Sequence, residues 1–423
     1  MTLTAERPAQ PGTVERNRWR AALLSTPTLV VAGLASVAIT IRWLVGAYRT
    51  APRQFLDLDV YRLGAQAFMH GQNMYGTLPA NTQGSHLPFL YPPFAAALFS
   101  PLALLSWHQM IGGMLLLSAV SLIVTIYLTA LRSWPGGGTR GAVLVTAVTL
   151  PLSLIAEPVW DTVFFGQINL VLMALVALDC LTPNAKWPRG MLVGVAAAIK
   201  LTPAVFILFF LLRKDFRASV TTVISAAVCT GLGFLATFSG SRHYWFGGDP
   251  HLNQVSGTGF IGNQSIDGGL GRLGLPQHTQ TMLWLTLVAV VGVVSVLAIR
   301  KAHRRDNAPL AMVLTAVFGL VASPTSWGHY WIYVIPAIVV MVAVALQRKH
   351  IGWLLAATAA AIVVAIPPFF YVAHGGTVLT LKQQFKANAY TVTALILLAA
   401  FLIPSIIRWI RRRYSAGSAS SAA

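Results

Sequence analysis

The chain has only eleven acidic side chains among 423 residues, so each carboxylate that could meet a substrate is a candidate for proton transfer. The sharpest group is Asp57-Leu58-Asp59-Val60-Tyr61-Arg62. A carboxylate fixed at the start of a helix can take the proton of a hydroxyl nucleophile, or it can cap the helix's own unpaired amides. This stretch by itself allows both uses, and Arg62 beside it could meet an anion. A second acidic pair, Glu157 and Asp161, leads into Phe165-Gly166-Gln167-Ile168-Asn169, whose amide side chains can hold sugar hydroxyls or join neighbouring helices. In Gly262-Asn263-Gln264-Ser265-Ile266-Asp267-Gly268-Gly269, followed by Arg272, the polar groups suit an anion or a sugar, while the glycines equally suit a flexible loop. Lys200 stands inside an apolar run, where a charge is costly unless it is paired, hydrated or snorkelled to an interface. His329, in Ser323-Pro324-Thr325-Ser326-Trp327-Gly328-His329-Tyr330-Trp331, reads either as a site histidine or as one member of an interfacial aromatic belt.

The elements that must position these residues follow from composition. The chain is 56% apolar and 10% charged, with a mean hydropathy of +0.68. A soluble domain carries roughly 25% charged residues. Repeated long apolar runs therefore predict an all-α polytopic membrane protein, because a bilayer core satisfies backbone groups only within helices or closed barrels, and a barrel would show short alternating strands. The net charge of +19 could suggest a nucleic-acid partner, but Lys and Arg cluster in short connectors between apolar runs, so no such partner is expected. Cys180 and Cys229 fall in apolar stretches without metal-ligand spacing and read as packing residues.

Residues 1–20 form a polar tail, and the apolar run at about 22–46 is too long for a signal-peptide core, which makes it an uncleaved first span. Further runs lie near 89–106, 109–131, 141–160, 168–181, 190–212, 218–238, 281–299, 308–323, 330–346, 351–373 and 389–407. The run at 190–212 breaks at Lys200-Leu201-Thr202-Pro203 and has basic residues at both ends, which suggests a hairpin of two short helices. About 12 membrane helices result, some short or broken. Placing the connectors at Arg132/Arg140, Lys186/Arg189, Arg213–Arg217, Arg300–Arg305 and Arg348/Lys349 in the cytoplasm with both tails predicts one transmembrane domain over 21–410 and a basic tail over 411–423. Long outer loops then fall at about 47–88 and 239–280. The first opens an amphipathic stretch, with Val60, Leu63, Ala67 and Phe68 at helical spacing, expected to lie along the membrane surface.

Six motifs in order, Asp-Leu-x-Val-Tyr at 57–61, Tyr91-Pro92-Pro93, Gly166-Gln167-Ile168-Asn169-Leu170, Lys200-Leu201-Thr202-Pro203, Asn263-Gln264-Ser265 and Ser323-Pro324-Thr325-Ser326-Trp327-Gly328-His329, resemble glycosyltransferase family 87 over residues 20 to about 410. The resemblance is to PimE-like alpha-1,2-mannosyltransferases, GT-C membrane enzymes that use polyprenyl-phosphate-mannose. It implies a GT-C fold in the cytoplasmic membrane with its active site facing the periplasm or cell exterior, and a mannosylated glycolipid such as a phosphatidylinositol mannoside as acceptor. By the same resemblance Asp57 is the catalytic base, Asp59 the second choice, and His329 the site histidine. Tyr330 stands where a second histidine is expected in many relatives. Arg62, Lys200 and Arg272 are candidates for the donor phosphate, with Glu157, Gln167, Asn169, Asn263 and Gln264 for phosphate or sugar. A mannosyl phosphate carries a good leaving group, so one base and nearby cations suffice, and neither a cofactor nor a metal is expected. The rival readings are another lipid-sugar-dependent transferase, for instance one donating arabinofuranose, and a transporter of lipid-linked substrates. The transporter would be favoured by repeated halves, which the sequence lacks.

Overall fold

The computed structural model describes residues 21–50, 55–247, 259–372 and 379–403. The tails expected at 1–20 and 411–423 lie outside them. Among the described residues the protein is helical throughout, and the one β-type feature is an isolated antiparallel bridge between Asn263 and Trp327.

Five helices are individually long and apolar enough to cross a membrane: α1 (Thr26–Arg49), α4 (Trp107–Ser133), α10 (Phe216–Ala236), α13 (Gln277–His303), and the continuous segment Gly328–Arg348, whose first turns are 3₁₀ and whose remainder is α15 (Val334–Arg348). Two bent pairs raise the count to seven. Residues Pro135–Ser153, containing α5 (Gly138–Ser153), turn by 70° into α6 (Glu157–Phe165), and α17 (Leu381–Ala387) turns by 82° into α18 (Ala389–Ile403). The remaining apolar helices are shorter, between 10 and 17 residues. They are α3 (Pro93–Phe99) with its 3₁₀ extension to Leu104, α7 (Asn169–Leu181), the 3₁₀ turn Thr202–Phe206 with α9 (Ile207–Arg213), α14 (Ala308–Ala322) and α16 (Ile351–Ala365). Five to seven helices among the described residues are thus long and apolar enough to cross, and the count of about twelve is not reached by helices that span alone.

α1 shows why a membrane is required. Its only buried side chains are Ser36 and Thr40, while Val31 and Leu34 are each 67% exposed. Small polar residues face the bundle and large apolar ones face outward, the reverse of a soluble helix. α4 runs through the centre behind a Ser106/Gln109 capping box and packs on α7, α5 and α15 through Ser118, Ser121, Thr125 and Thr129.

The basic connectors gather at one end of the bundle. Arg140 donates to the Leu24 carbonyl at the start of α1, and Gln347 donates to Ser133 O at the end of α4. Trp353 meets the Phe401 ring, Lys301 donates to Phe401 O, and His303 meets the Phe209 ring edge-on. The apolar cluster at this end includes Leu181, Phe210, Ile299, Ala302 and Val344; a larger one, with Leu58, Tyr61, Phe99, Leu170 and Trp331, fills the other.

The break in 190–212 takes the form expected. α8 (Met191–Ile199) rises from the basic end, where Asp179 accepts the amides of Gly190 and Val193, and stops at Lys200. Proline at position 203 starts the 3₁₀ turn, and α9 returns to Arg213. Lys200 is therefore carried on the tip of a hairpin at the end of the bundle away from the connectors.

α2 (Leu56–Met69) forms where the amphipathic spacing places it and is packed on more than its apolar face: Leu58, Asp59, Val60, Tyr61, Leu63, Gly64, Ala65 and Ala67 are all buried. α3 and the 3₁₀ segment Ser100–Leu104 cover one side and α6 another, while Phe89 lies over Gly64. Amphipathic spacing identifies a helix and its first buried face; it is silent about a later segment folding over the second.

Candidate active site

α2 enters through Phe55, which occupies the left-handed region at φ 66° and donates its amide to Phe164 O at 2.7 Å. This clamps the start of α2 to the end of α6. The turn after α6 is Gly166 at φ +67°, where a Cβ would stand 2.7 Å from Leu58 Cβ, so the close approach of the two helices needs glycine there.

Asp57 is the second residue of α2, but its side chain does not cap the helix. Asp57 Oδ2 accepts from Gln167 Nε2 at 2.6 Å. The Gln167 carbonyl oxygen in turn accepts from Tyr61 at 2.8 Å and Tyr91 at 3.1 Å, and the two tyrosine hydroxyls are 2.8 Å apart. With its oxygen occupied by two phenols, the amide can present only its NH₂ to Asp57. The Asp57 carboxyl keeps some accessible surface yet is ringed by protein. Burial raises its pKa above the ordinary carboxylate range, opposed by the field of His329, the Gln167 hydrogen bond and Lys200.

Asp59 points elsewhere. It is fully buried, pairs with Arg62 at 2.6 Å, and accepts the Thr82 amide at 2.7 Å. The carboxylate and Arg62 thereby pin the 70–92 segment to α2, and Arg62 also lies over Trp107, 5.9 Å from the ring centroid. Both are engaged in scaffold contacts, apart from the Asp57–Gln167 hub.

Opposite Asp57 stand Lys200 and His329. Lys200 Nζ donates to Asn169 Oδ1 at 3.0 Å and lies 4.0 Å from the Tyr330 ring centroid and 5.4 Å from that of Tyr91. Both rings stabilise an ammonium at modest cost to its remaining donors. His329 Nδ1 lies 3.1 Å from Asp161 Oδ2, its ring rests between Phe165 and Tyr330, and its backbone carbonyl accepts from Thr162 and Asn169. Glu157, one helical turn before Asp161, accepts from the Tyr390 hydroxyl at 2.7 Å, and its carboxylate occupies the space a Cβ on Gly328 would need. Tyr330, in the place of an expected second histidine, supplies the face on which Lys200 rests.

The remaining candidates hold this arrangement from behind. The segment that its glycines allowed to be a flexible loop is packed: Asn263, Gln264 and Ser265 are essentially inaccessible. Asn263 bonds Ser326 N and Pro324 O, and Gln264 bonds Ile261 O, Ala387 O and Tyr390 N. Arg272 donates to Phe260 O, Asn263 O and Asn388 Oδ1. These residues fix the 323–331 segment and α18, and with them His329 and Tyr390. Tyr61, Tyr91 and Tyr390 are site residues absent from the sequence candidates, while Asp161 and Tyr330 stood in the motifs without an assigned role. Tyr61 and Tyr91 each end or open a motif, and that position was their only signal. Among the described residues no group of three or more metal-ligating side chains comes together.

The fold and site define a membrane-embedded helical bundle with one half-buried carboxylate facing a lysine and a histidine, a set that suits group transfer with charge developing on the leaving group. The chain belongs to glycosyltransferase family 87, whose profile matches residues 89–324. It is 38% identical over 355 residues to a polyprenol-phosphate-mannose-dependent alpha-(1-2)-phosphatidylinositol mannoside mannosyltransferase of Mycolicibacterium smegmatis, covering 79% of this chain and 80% of that one. It is 36% identical over 311 residues to a protein of the same description from Mycobacterium tuberculosis, covering 70% and 72%. Among solved structures, ArnT from Cupriavidus metallidurans bound to undecaprenyl phosphate aligns with a TM-score of 0.42 at 17% identity, over 89% of this chain and 72% of that one.

Proposed function

We propose that the protein transfers mannose from polyprenyl-phosphate-mannose to a phosphatidylinositol mannoside or a related mannosylated glycolipid, forming an alpha-1,2 link with inversion, as a GT-C transferase of the plasma membrane. The observation that carries this reading is the Asp57 carboxylate, held by Gln167 and, among the described residues, without a backbone or cationic hydrogen-bond partner, with Lys200 and His329 on the same site. Relatives at 38% and 36% identity supply the substrate class.

In this mechanism Asp57 takes the proton of the acceptor hydroxyl as its oxygen attacks the anomeric carbon. The bond from that carbon to the phosphate oxygen breaks on the opposite face, and its electron pair leaves with the polyprenyl phosphate. Lys200 and His329 face the growing phosphate charge. Fixed donors in a water-poor site stabilise it without reorganising, so the reaction needs no divalent metal. An apolar groove of about 760 Å³ between α4, α5, α15 and α16 runs from Ser133 and Gln347 to Ala156, one residue before Glu157, and offers a path for an isoprenoid chain. With the basic connectors in the cytoplasm, the site opens to the periplasm or cell exterior.

The test is transfer by purified protein from polyprenyl-phosphate-mannose to a panel of phosphatidylinositol mannosides, with mass and linkage analysis of products. An alpha-1,2-mannosylated product supports the reading. Activity only with a polyprenyl-phosphate pentose assigns the other donor.

A further inference from the structure

The His329 ring is held at one nitrogen and open at the other. Its side chain is 9% exposed, Nδ1 meets the Asp161 carboxylate at 3.1 Å, and Nε2 is buried without a partner among the described residues. A carboxylate only accepts, so Nδ1 carries the proton of that contact. Side-chain hydrogen bonds from Thr162 Oγ1 and Asn169 Nδ2 hold the His329 carbonyl, and Phe165 and Tyr330 flank the ring. Asp161 and Thr162 are adjacent on α6, so one short helix fixes both the backbone and the ring of His329.

We infer that Asp161 is a positioning residue: it holds the His329 imidazole so that Nε2–H points at the phosphate of the lipid donor. This deepens the function proposed above and rests on it for the identity of the donor. When the sugar–phosphate bond breaks, its electron pair stays on the phosphate and the acceptor proton goes to Asp57. The Nε2 proton stays on His329 and is shared with the phosphate oxygen, so His329 is a charge-assisted donor rather than a second acid.

The sign of the effect separates this role from simple proximity. A bystander carboxylate repels phosphate, and removing it would leave lipid-phosphate binding unchanged or tighter. A positioning carboxylate orients the donor, and removing it weakens binding, as loss of the outer partner of a ligating histidine does.

The experiment measures binding of polyprenyl phosphate, which carries no sugar, to purified full-length wild type and to Asp161→Ala, Asp161→Asn, His329→Ala and the Asp161→Ala/His329→Ala double variant. Thermal melts verify folding. Asp161→Ala should weaken binding by about 10-fold or more, Asp161→Asn should weaken it less because its amide oxygen still accepts from Nδ1, and Asp161→Ala should add nothing once His329 is alanine. Unchanged or tighter binding by folded Asp161→Ala, or additive losses in the double variant, overturns the inference. Because the probe lacks sugar, polyprenyl phosphate binding that follows this pattern without mannose transfer would refute the proposed donor and leave the Asp161 role standing. A wild type that does not bind polyprenyl phosphate refutes both.

Discussion

Gln167 and Asp57 are 110 residues apart in sequence, yet Gln167 Nε2 lies 2.6 Å from Asp57 Oδ2 and both tyrosines of the hub fix which end of the amide faces the acid. The proposed base is therefore oriented by a residue at the end of α6.

Asp57→Asn keeps size and hydrogen-bonding capacity but removes basicity. Turnover should fall at least the roughly 100-fold typical of general-base loss, with melting temperature unchanged. Asp59→Asn should act on stability, because it breaks the pair with Arg62 and weakens the Thr82 contact, a loss on the order of 2 kcal/mol for charged hydrogen bonds. Thermal melts and single-turnover rates on both variants separate the roles; a stable, inactive Asp59→Asn with an active Asp57→Asn reverses them.

Gln167→Glu retains an acceptor for Tyr61 and Tyr91 and loses the donor to Asp57. Turnover should drop by about 10- to 100-fold, part of the effect of losing the base itself. The new carboxylate also disfavours ionisation of Asp57, so the acid limb of the rate profile should move to higher pH. An unshifted limb would show that Gln167 does not act through Asp57.

Asp57 acts as a base only when ionised, and its folded pKa is raised from 3.8 chiefly by burial. Activity should therefore fall as pH drops through a value above the ordinary carboxylate range. Stability runs the other way for this group. The raised pKa stabilises the fold below the unfolded value, and that contribution is lost as pH rises through the folded one. Asp57→Asn should accordingly be at least as stable as wild type near neutrality, which melts across a pH series will check.

Gly166→Ala places a methyl against Leu58 in a left-handed backbone position. The cost should be on the order of 1–3 kcal/mol, with turnover falling as well because Gln167 is the next residue. A fully active, fully stable Gly166→Ala would mean that the α2–α6 contact does not set the site.

Topology can be read by labelling intact cells. A cysteine at exposed Thr77 should react with an impermeant reagent, and one at Arg304 should react only after permeabilisation. The reverse pattern inverts the orientation proposed here.

Periodicity and composition alone determine much of this protein. Apolar runs mark the helices, the clustering of Lys and Arg marks one end of the bundle, the Lys200-Leu201-Thr202-Pro203 break marks the hairpin, and the helical spacing after Asp57 marks α2, because each is a local property of side chains in a bilayer or a helix. The twelve apolar runs do not reveal which are full crossings, since two pairs bend at short breaks and several helices are too short to span alone. Tertiary structure alone decides the partners. Asp57 and Asp59 look equivalent in sequence, but on a helix they project about 200 degrees apart, and packing gives one to Gln167 and the other to Arg62 and Thr82. Arg272, Asn263 and Gln264 look like binding groups and are consumed by backbone carbonyls and amides, whereas Asp161 looks like a second acid and becomes the support of His329. A residue's type fixes which bonds it can make. Which neighbour stands within hydrogen-bonding distance of it is settled by helices that meet from more than 100 residues away, and no local pattern encodes that meeting.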